Sequence, residues 1–422
     1  MNFNKKTFKN GLRVIVVPIK DAPSVTVMSM VSTGSEYESK DKNGISHFLE
    51  HMFFKGTKNR PKSIDIAKEF DGIGAEHNAF TSNEVTAYYG KASYKNFEKM
   101  LGIISDMYLN PTFPEAEMEK EKGVIIEEIN MYEDLPQQIA QNIFQKILYG
   151  DTPFGRDVLG PKENIRTMVR EDFINYRKNH YVAKRTLVVV AGNVSSSDVF
   201  KKVEKAFKDI EVGKIIKKEK IIEDQSKSKI EIKHKETDQS HIVIGVRSFG
   251  VNDKRVPILR VLSAVLGGGM SARLFQKMRE ELGICYYVRS VINDFTDHGN
   301  FTVSAGVDKT RLEDAVSGIL GELKKMSEKP VDLVELKKAK DYLIGQMYLN
   351  LESSDSLAGF YGFQEILGQK IRKPSEVEKE LLKVTPAQIQ KLAKEIFVNK
   401  NLNMAIVGNV KDQKSLEKIF HF

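Results

Sequence analysis

The chain has 422 residues, 41% of them hydrophobic and 29% charged; single cores stop growing at about 250–300 residues, so this length implies two domains. The composition excludes collagen-like, disordered and disulfide-stapled classes. Against 57 Asp and Glu stand 65 Lys and Arg, a net charge of +8 spread without interleaved aromatics, which points to a solvated lysine-rich surface and away from a nucleic-acid groove. In chain order, the turn signal Asn10-Gly11 opens a strand over residues 12–18, and Ser24–Val31 alternates like a half-buried strand. Residues 43–54, NGISHFLEHMFF, read as a helix with Ser46 as its cap. A run rich in Thr, Val and Tyr, 79–90, reads as one strand, and the acidic stretch 117–133 as a long helix. Strands are expected at 230–234 and 240–246, after a charged segment, 212–229, that reads as a linker.

The chain carries an internal repeat. At an offset of 216, REDFINYRKNHYVAKRTLVVVAGNV from Arg170 aligns without gaps on PAQIQKLAKEIFVNKNLNMAIVGNV from Pro386. Each copy is a helical pattern leading into an apolar run that ends at Gly-Asn, and each is followed by a further amphipathic stretch. A weaker echo at offset 218 relates the helix from Phe113 to one from Val331. The repeat divides the chain into an amino-terminal domain, 1–211, the linker, 212–229, and a carboxy-terminal domain, 230–422. Strands and helices mix without regular alternation, so each domain is expected to be α+β, a mainly antiparallel sheet covered by helices.

The chemistry is concentrated in HFLEH. On a helix, His47 and His51 project from one face a turn apart, so two imidazoles can meet one metal ion, and Glu50 lies on the same side. A catalytic zinc takes three protein ligands and leaves one position open. The acidic helix supplies two carboxylates seven residues apart on one face, Glu121 and Glu128; spacing leaves open which of them meets the metal and which bonds a ligand imidazole. The other histidines, His77, His180, His234, His241, His298 and His421, lack metal-type spacing.

HFLEH followed by 76 residues and then a Glu resembles the inverted-zincin signature of the pitrilysin-like (M16) metallopeptidases. GVIIEEI, 123–129, is similar to that family's third-ligand segment. The resemblance implies one zinc per chain held by His47, His51 and Glu128, with Glu121 behind the ligands and Glu50 as general base. NAFTSNEVTAYYG, 78–90, is similar to the family's active-site edge strand, and implies that Asn78, Ala79, Phe80 and Thr81 bind an extended peptide. GGGMSARLFQKMREELGICYY, 267–287, is similar to its glycine-rich loop and Arg/Tyr pair, carried here by Arg279 and Tyr286. The implied fold is the LuxS/MPP-like metallohydrolase fold. The implied activity is endoproteolysis of short or unfolded peptides in a clamshell chamber, and the chain length matches half-sized members that pair two chains. A homodimer is expected, with a heterodimer as the alternative. A silent peptide-binding or partner-dependent subunit is the competing reading, against which the intact HFLEH argues. In the second half no histidine stands near the position equivalent to His47, and Gln346 echoes Glu128, so that copy has no metal set. No apolar run approaches the roughly 18 residues of a membrane span, no signal peptide is legible, and the lone Cys285 has no internal partner; no membrane or nucleic-acid partner and a cytoplasmic location are expected.

Overall fold

The computed structural model describes residues 2–222, 225–410 and 413–422. Six strands, β1 (Asn4–Thr7), β2 (Arg13–Pro18), β3 (Ser24–Val31), β4 (Glu76–Thr81), β5 (Thr86–Ser93) and β6 (Thr186–Gly192), form one sheet in the order β1-β2-β6-β3-β5-β4. Five more, β7 (Lys229–His234), β8 (Gln239–Ser248), β9 (Cys285–Asp294), β10 (Gly299–Asp308) and β11 (Asn403–Gly408), form the second, in the order β7-β11-β8-β10-β9. Among the described residues only β2–β6 and β7–β11 are parallel pairs. Deleting β1 superimposes the two orders, so the sheets repeat each other as the sequence does. The Asn10-Gly11 signal is the β1–β2 hairpin turn, with Gly11 at φ +94°.

The helices used below are α1 (Ile45–Met52), α2 (Phe97–Leu109), α3 (Glu115–Asp134), α4 (Pro136–Tyr149), α5 (Arg170–His180), α6 (Ser196–Ala206), α7 (Val256–Gly267), α8 (Leu312–Glu328), α9 (Leu333–Asn350), α10 (Ser354–Ile366), α11 (Pro386–Ile396) and α12 (Gln413–Ile419). Adding 216 to the bounds of α5 gives those of α11, and the ends of β6 and β11 differ by the same number. The fold is therefore α+β with two similar domains. The run expected as one strand over 79–90 is instead two: Ser82 donates its backbone N–H to the Val85 carbonyl at 2.8 Å and turns β4 back onto β5. β-formers on both sides of that turn hide it in the sequence.

The compact units do not follow the contiguous division 1–211, 212–229 and 230–422. The first holds residues 1–130, 156–219 and 349–373; the second holds 131–155, 220–348 and 374–422. Each half lends the other one helix. Pro136 cannot continue α3, since it lacks an N–H and clashes with the preceding turn; the chain restarts as α4, which covers one face of the second sheet through Phe144, Ile147 and Leu148 against Val243, Ala405 and Val407. Correspondingly, Ser353 caps α10 by accepting the N–H of Ser356. α10 lies on β3 and β6 of the first unit, with Ser354 bonded to Thr26 at 2.8 Å and Glu365 paired with Lys5 at 2.7 Å. The opposite faces carry the two large cores, under α1, α2, α5 and α6 in the first unit and α7, α8 and α11 in the second.

Candidate metal centre

α1 buries Ile45, Phe48, Leu49 and Met52 and leaves His47, Glu50 and His51 towards α3 and β4. Its start is not capped by Ser46, contrary to the sequence expectation. Gly44 is the N-cap, at φ +101°, and the cap is supplied from outside the helix by Glu38, which accepts the N–H groups of Gly44 at 2.8 Å and Ser46 at 2.7 Å and the Asn43 amide at 2.8 Å. Ser46 lies inside the helix and bonds Tyr176 at 2.7 Å. Burial pushes the Glu38 carboxyl up, against the pull of those three donors. A cradle fixed at the helix start fixes the direction of both imidazoles.

α3 presents Met118, Glu121, Ile125 and Ile129 inward. Glu121 Oε1 bonds His51 Nδ1 at 2.9 Å and its Oε2 pairs with Lys55 at 2.6 Å. Burial raises the Glu121 pKa, but the His51 and Lys55 hydrogen bonds outweigh it and hold the carboxyl below its ordinary value. Glu128 Oε2 stands 3.6 Å from both His47 Nε2 and His51 Nε2, and the two Nε2 atoms are 3.2 Å apart. A tetrahedral zinc with bonds of about 2.0–2.1 Å has ligand atoms about 3.3–3.4 Å apart, so this triangle fits such an ion. Glu121 fixes the His51 tautomer by accepting a hydrogen bond from Nδ1–H, which leaves Nε2 free to face a metal. Among the described residues His47 Nδ1 is buried without a hydrogen-bond partner, and none of them fixes that ring's tautomer. Burial, then the neighbouring His51, lowers the His47 pKa to about 3, which keeps the ring neutral as a ligand must be. Burial raises Glu128, with His51 opposing.

Glu50 completes the group. Thr81, at the end of β4, donates its hydroxyl to Glu50 Oε2 at 2.5 Å. Burial pushes the Glu50 carboxyl up, partly offset by Thr81 and His51. β4 is the sheet edge; it pairs only with β5, with Asn78 opposite Tyr89 and Thr81 opposite Thr86. The Ala79 N–H is taken at 2.8 Å by the Asn78 side-chain oxygen. Phe80 stacks on Phe363 with centroids 5.6 Å apart.

Arg279 and Tyr286 belong to the second unit. Arg279 lies in a π-helical segment, Gln276–Glu281, donates to the Cys285 carbonyl at 2.6 Å and sits 5.6 Å from the Tyr286 ring centroid. In the β9–β10 register Val307 faces Cys285 and Gly306 faces Tyr287, so Tyr286 is the extra residue of a bulge and stands 72% exposed. Among the described residues no His/Asp/Glu set of metal-ligating spacing lies within the second unit alone. Motif reading missed Glu38, Lys55 and the Thr81 hydroxyl. Their signal is tertiary, because each reaches its partner across an irregular segment or a strand edge.

The Insulinase (Peptidase family M16) model matches residues 13–162, and the Peptidase M16 inactive domain model matches 167–343. "Uncharacterized zinc protease YmxG" of Bacillus subtilis is 36% identical over 93% of this chain and 95% of its own. The chain belongs to peptidase family M16. A second relative, an "uncharacterized zinc protease" of Rickettsia bellii, is 32% identical over 96% of this chain and 98% of its own. Two crystal structures share the M16 fold: a protease from Helicobacter pylori (TM-score 0.89, 23% identity, 96% of this chain and 99% of that one) and a peptidase M16 inactive domain from Pseudomonas fluorescens (TM-score 0.90, 18% identity, 98% and 99%). The candidate metal set, His47, His51 and Glu128, falls within the segment matched as peptidase, and Arg279 and Tyr286 within that matched as inactive domain.

Proposed function

We propose that this M16 chain is a zinc-dependent endopeptidase of short or unfolded peptides, holding one zinc on His47, His51 and Glu128. The observation that carries the reading is the triangle of two imidazole nitrogens and a carboxylate oxygen, 3.2–3.6 Å on a side, with Glu50 one turn away. When bound, the zinc supplies a Lewis acid that polarises the scissile carbonyl and acidifies water. Glu121 holds the His51 ring in place and Lys55 holds Glu121. Glu50, with Oε2 occupied by Thr81, takes the proton of the attacking water at Oε1 and returns it to the departing amine; its raised pKa suits a group that must do both near neutral pH. Tyr286 donates a hydrogen bond from its phenol to the tetrahedral oxyanion, a contact worth about 2.7–4 kcal/mol, and Arg279 steadies the turn that presents Tyr286. An extended peptide adds to the free edge of β4, where its carbonyl replaces the Asn78 side chain on the Ala79 N–H.

The reading includes a cytoplasmic homodimer in which each chain supplies Arg279 and Tyr286 to a closed chamber. Among the described residues no helix is long and apolar enough to cross a membrane. The test measures zinc content and cleavage of a quenched unstructured peptide, with and without chelator. Chelator-sensitive cleavage abolished by Glu50→Gln is expected; stoichiometric zinc without turnover would instead favour a silent or partner-dependent subunit. Mixing Glu50→Gln with Arg279→Ala chains tests pairing: activity returns if the pair acts on the other chain's site, and stays absent under verified subunit exchange if it acts within its own chain.

A further inference from the structure

The second unit contains a cavity of about 340 Å³ outside the candidate metal set, lined in part by Tyr287 and Arg289, which follow Tyr286 on β9. It opens on the sheet face that α4 covers, between residues 135–141 at the start of that helix and strands β8 and β9. Tyr287 and Arg289 of β9 and His241 of β8 line it together with Gln137, Gln138 and Gln141. The polar groups are built in. His241, 8% exposed, bonds the Tyr287 hydroxyl through Nδ1 at 3.2 Å. Gln141 is held by donating to Ser304 at 2.7 Å, which leaves its carbonyl oxygen at the wall. No Asp or Glu lines the cavity, while the exposed Arg289 stands at its mouth, its side chain with neither an ion pair nor a hydrogen bond among the described residues. Elsewhere in this unit guanidinium groups meet carboxylates, as Arg273 does with Glu335 at 2.6 Å and Arg260 with Asp294 at 2.9 Å. An exposed guanidinium without a carboxylate partner, beside a phenol at the mouth of a cavity that no acid lines, suits a planar anion.

We propose that this cavity binds a carboxylate of a peptide, with Arg289 as the bidentate partner, Tyr287 as the second donor, and the apolar floor of Leu135, Ala140 and Val243 taking the residue that bears it. The proposal deepens the peptidase reading by giving the chain a second, non-catalytic hold on its substrate, and rests on that reading for its purpose only. Two sources share the chemistry: the terminal carboxylate and an acidic side chain.

The experiment measures fluorescence anisotropy of labelled twelve-residue peptides on the chelator-treated full-length protein, so that no turnover is needed. Three peptides share one neutral sequence: a free carboxy terminus, an amidated terminus, and an amidated terminus with one Glu near the end. The free-terminus peptide, the Glu peptide or both are expected to bind about tenfold tighter than the neutral amide. Arg289→Gln removes that preference and Arg289→Lys keeps part of it. The arm that binds tightly identifies the source. Equal binding of all three to the wild type, or a preference that survives Arg289→Gln, overturns the proposal. Tyr287→Phe provides a second variant, expected to weaken the preference without abolishing it. A peptidase assay without cleavage would sink the proposed activity and leave this binding result standing; the converse also holds.

Discussion

Glu121→Gln is the sharpest test of how the metal centre is held. The carboxylate accepts a hydrogen bond from His51 Nδ1–H at 2.9 Å with one oxygen and pairs with Lys55 at 2.6 Å through the other. Glutamine preserves the volume and one acceptor but removes the charge. His51 Nε2 then becomes a weaker donor to a cation, and the Lys55 ammonium loses its counter-ion beside a site that must itself take up positive charge. Replacing such a partner behind a ligand costs roughly 10–100-fold in metal affinity, or about 1.4–2.8 kcal/mol. The upper end is expected because the Glu121 side chain is only 6% exposed, so water cannot replace the lost acceptor. The assay is competition for zinc against a fluorescent chelator near neutral pH, with Lys55→Met expected to show a smaller loss in the same direction. Zinc affinity of Glu121→Gln within about threefold of wild type would refute the argument, since the Nδ1 bond would then not be what orients and polarises the imidazole.

Other perturbations follow from the same geometry. Thr81→Val removes the donor that lowers the Glu50 pKa; because the base must be ionised to accept a proton, the acidic limb of kcat/KM moves to higher pH, and an unmoved limb would exclude Thr81 from that role. Gly44→Ala forces a Cβ at φ +101° to within 2.5 Å of the Leu159 carbonyl oxygen; about 1–3 kcal/mol of stability should be lost in urea denaturation, with zinc affinity falling too because α1 loses its start. His47 and His180 both have pKa values lowered to about 3, chiefly by burial. Between about pH 6.5 and 3 the unfolded chain binds more protons at these residues, so stability rises with pH across that window and is lost on acidification, on the order of several kcal/mol in all. Urea midpoints of the metal-free protein should fall steadily from neutral pH to about pH 4, and His180→Gln should flatten that slope.

Much of this was legible in the chain itself. A helix repeats its side-chain directions every turn, so His47, Glu50 and His51 had to share a face, and Glu121 and Glu128 had to share another. Duplication was equally legible, because an ungapped offset of 216 survives as matching bounds for α5 and α11. Periodicity acts within one element, however, and the site is made between elements. Which carboxylate meets the imidazoles was left open by a spacing of two turns; the structure places Glu128 at 3.6 Å from both rings and Glu121 behind His51 because α3 crosses α1 at that level. The cap on α1 comes from Glu38 and not from Ser46, since a buried carboxylate reaches two backbone donors through an irregular segment that no local rule describes. The exchange of α4 and α10 between units was invisible for the same reason: Pro136 announces that a helix ends, but only complementary apolar faces decide which sheet the next one covers.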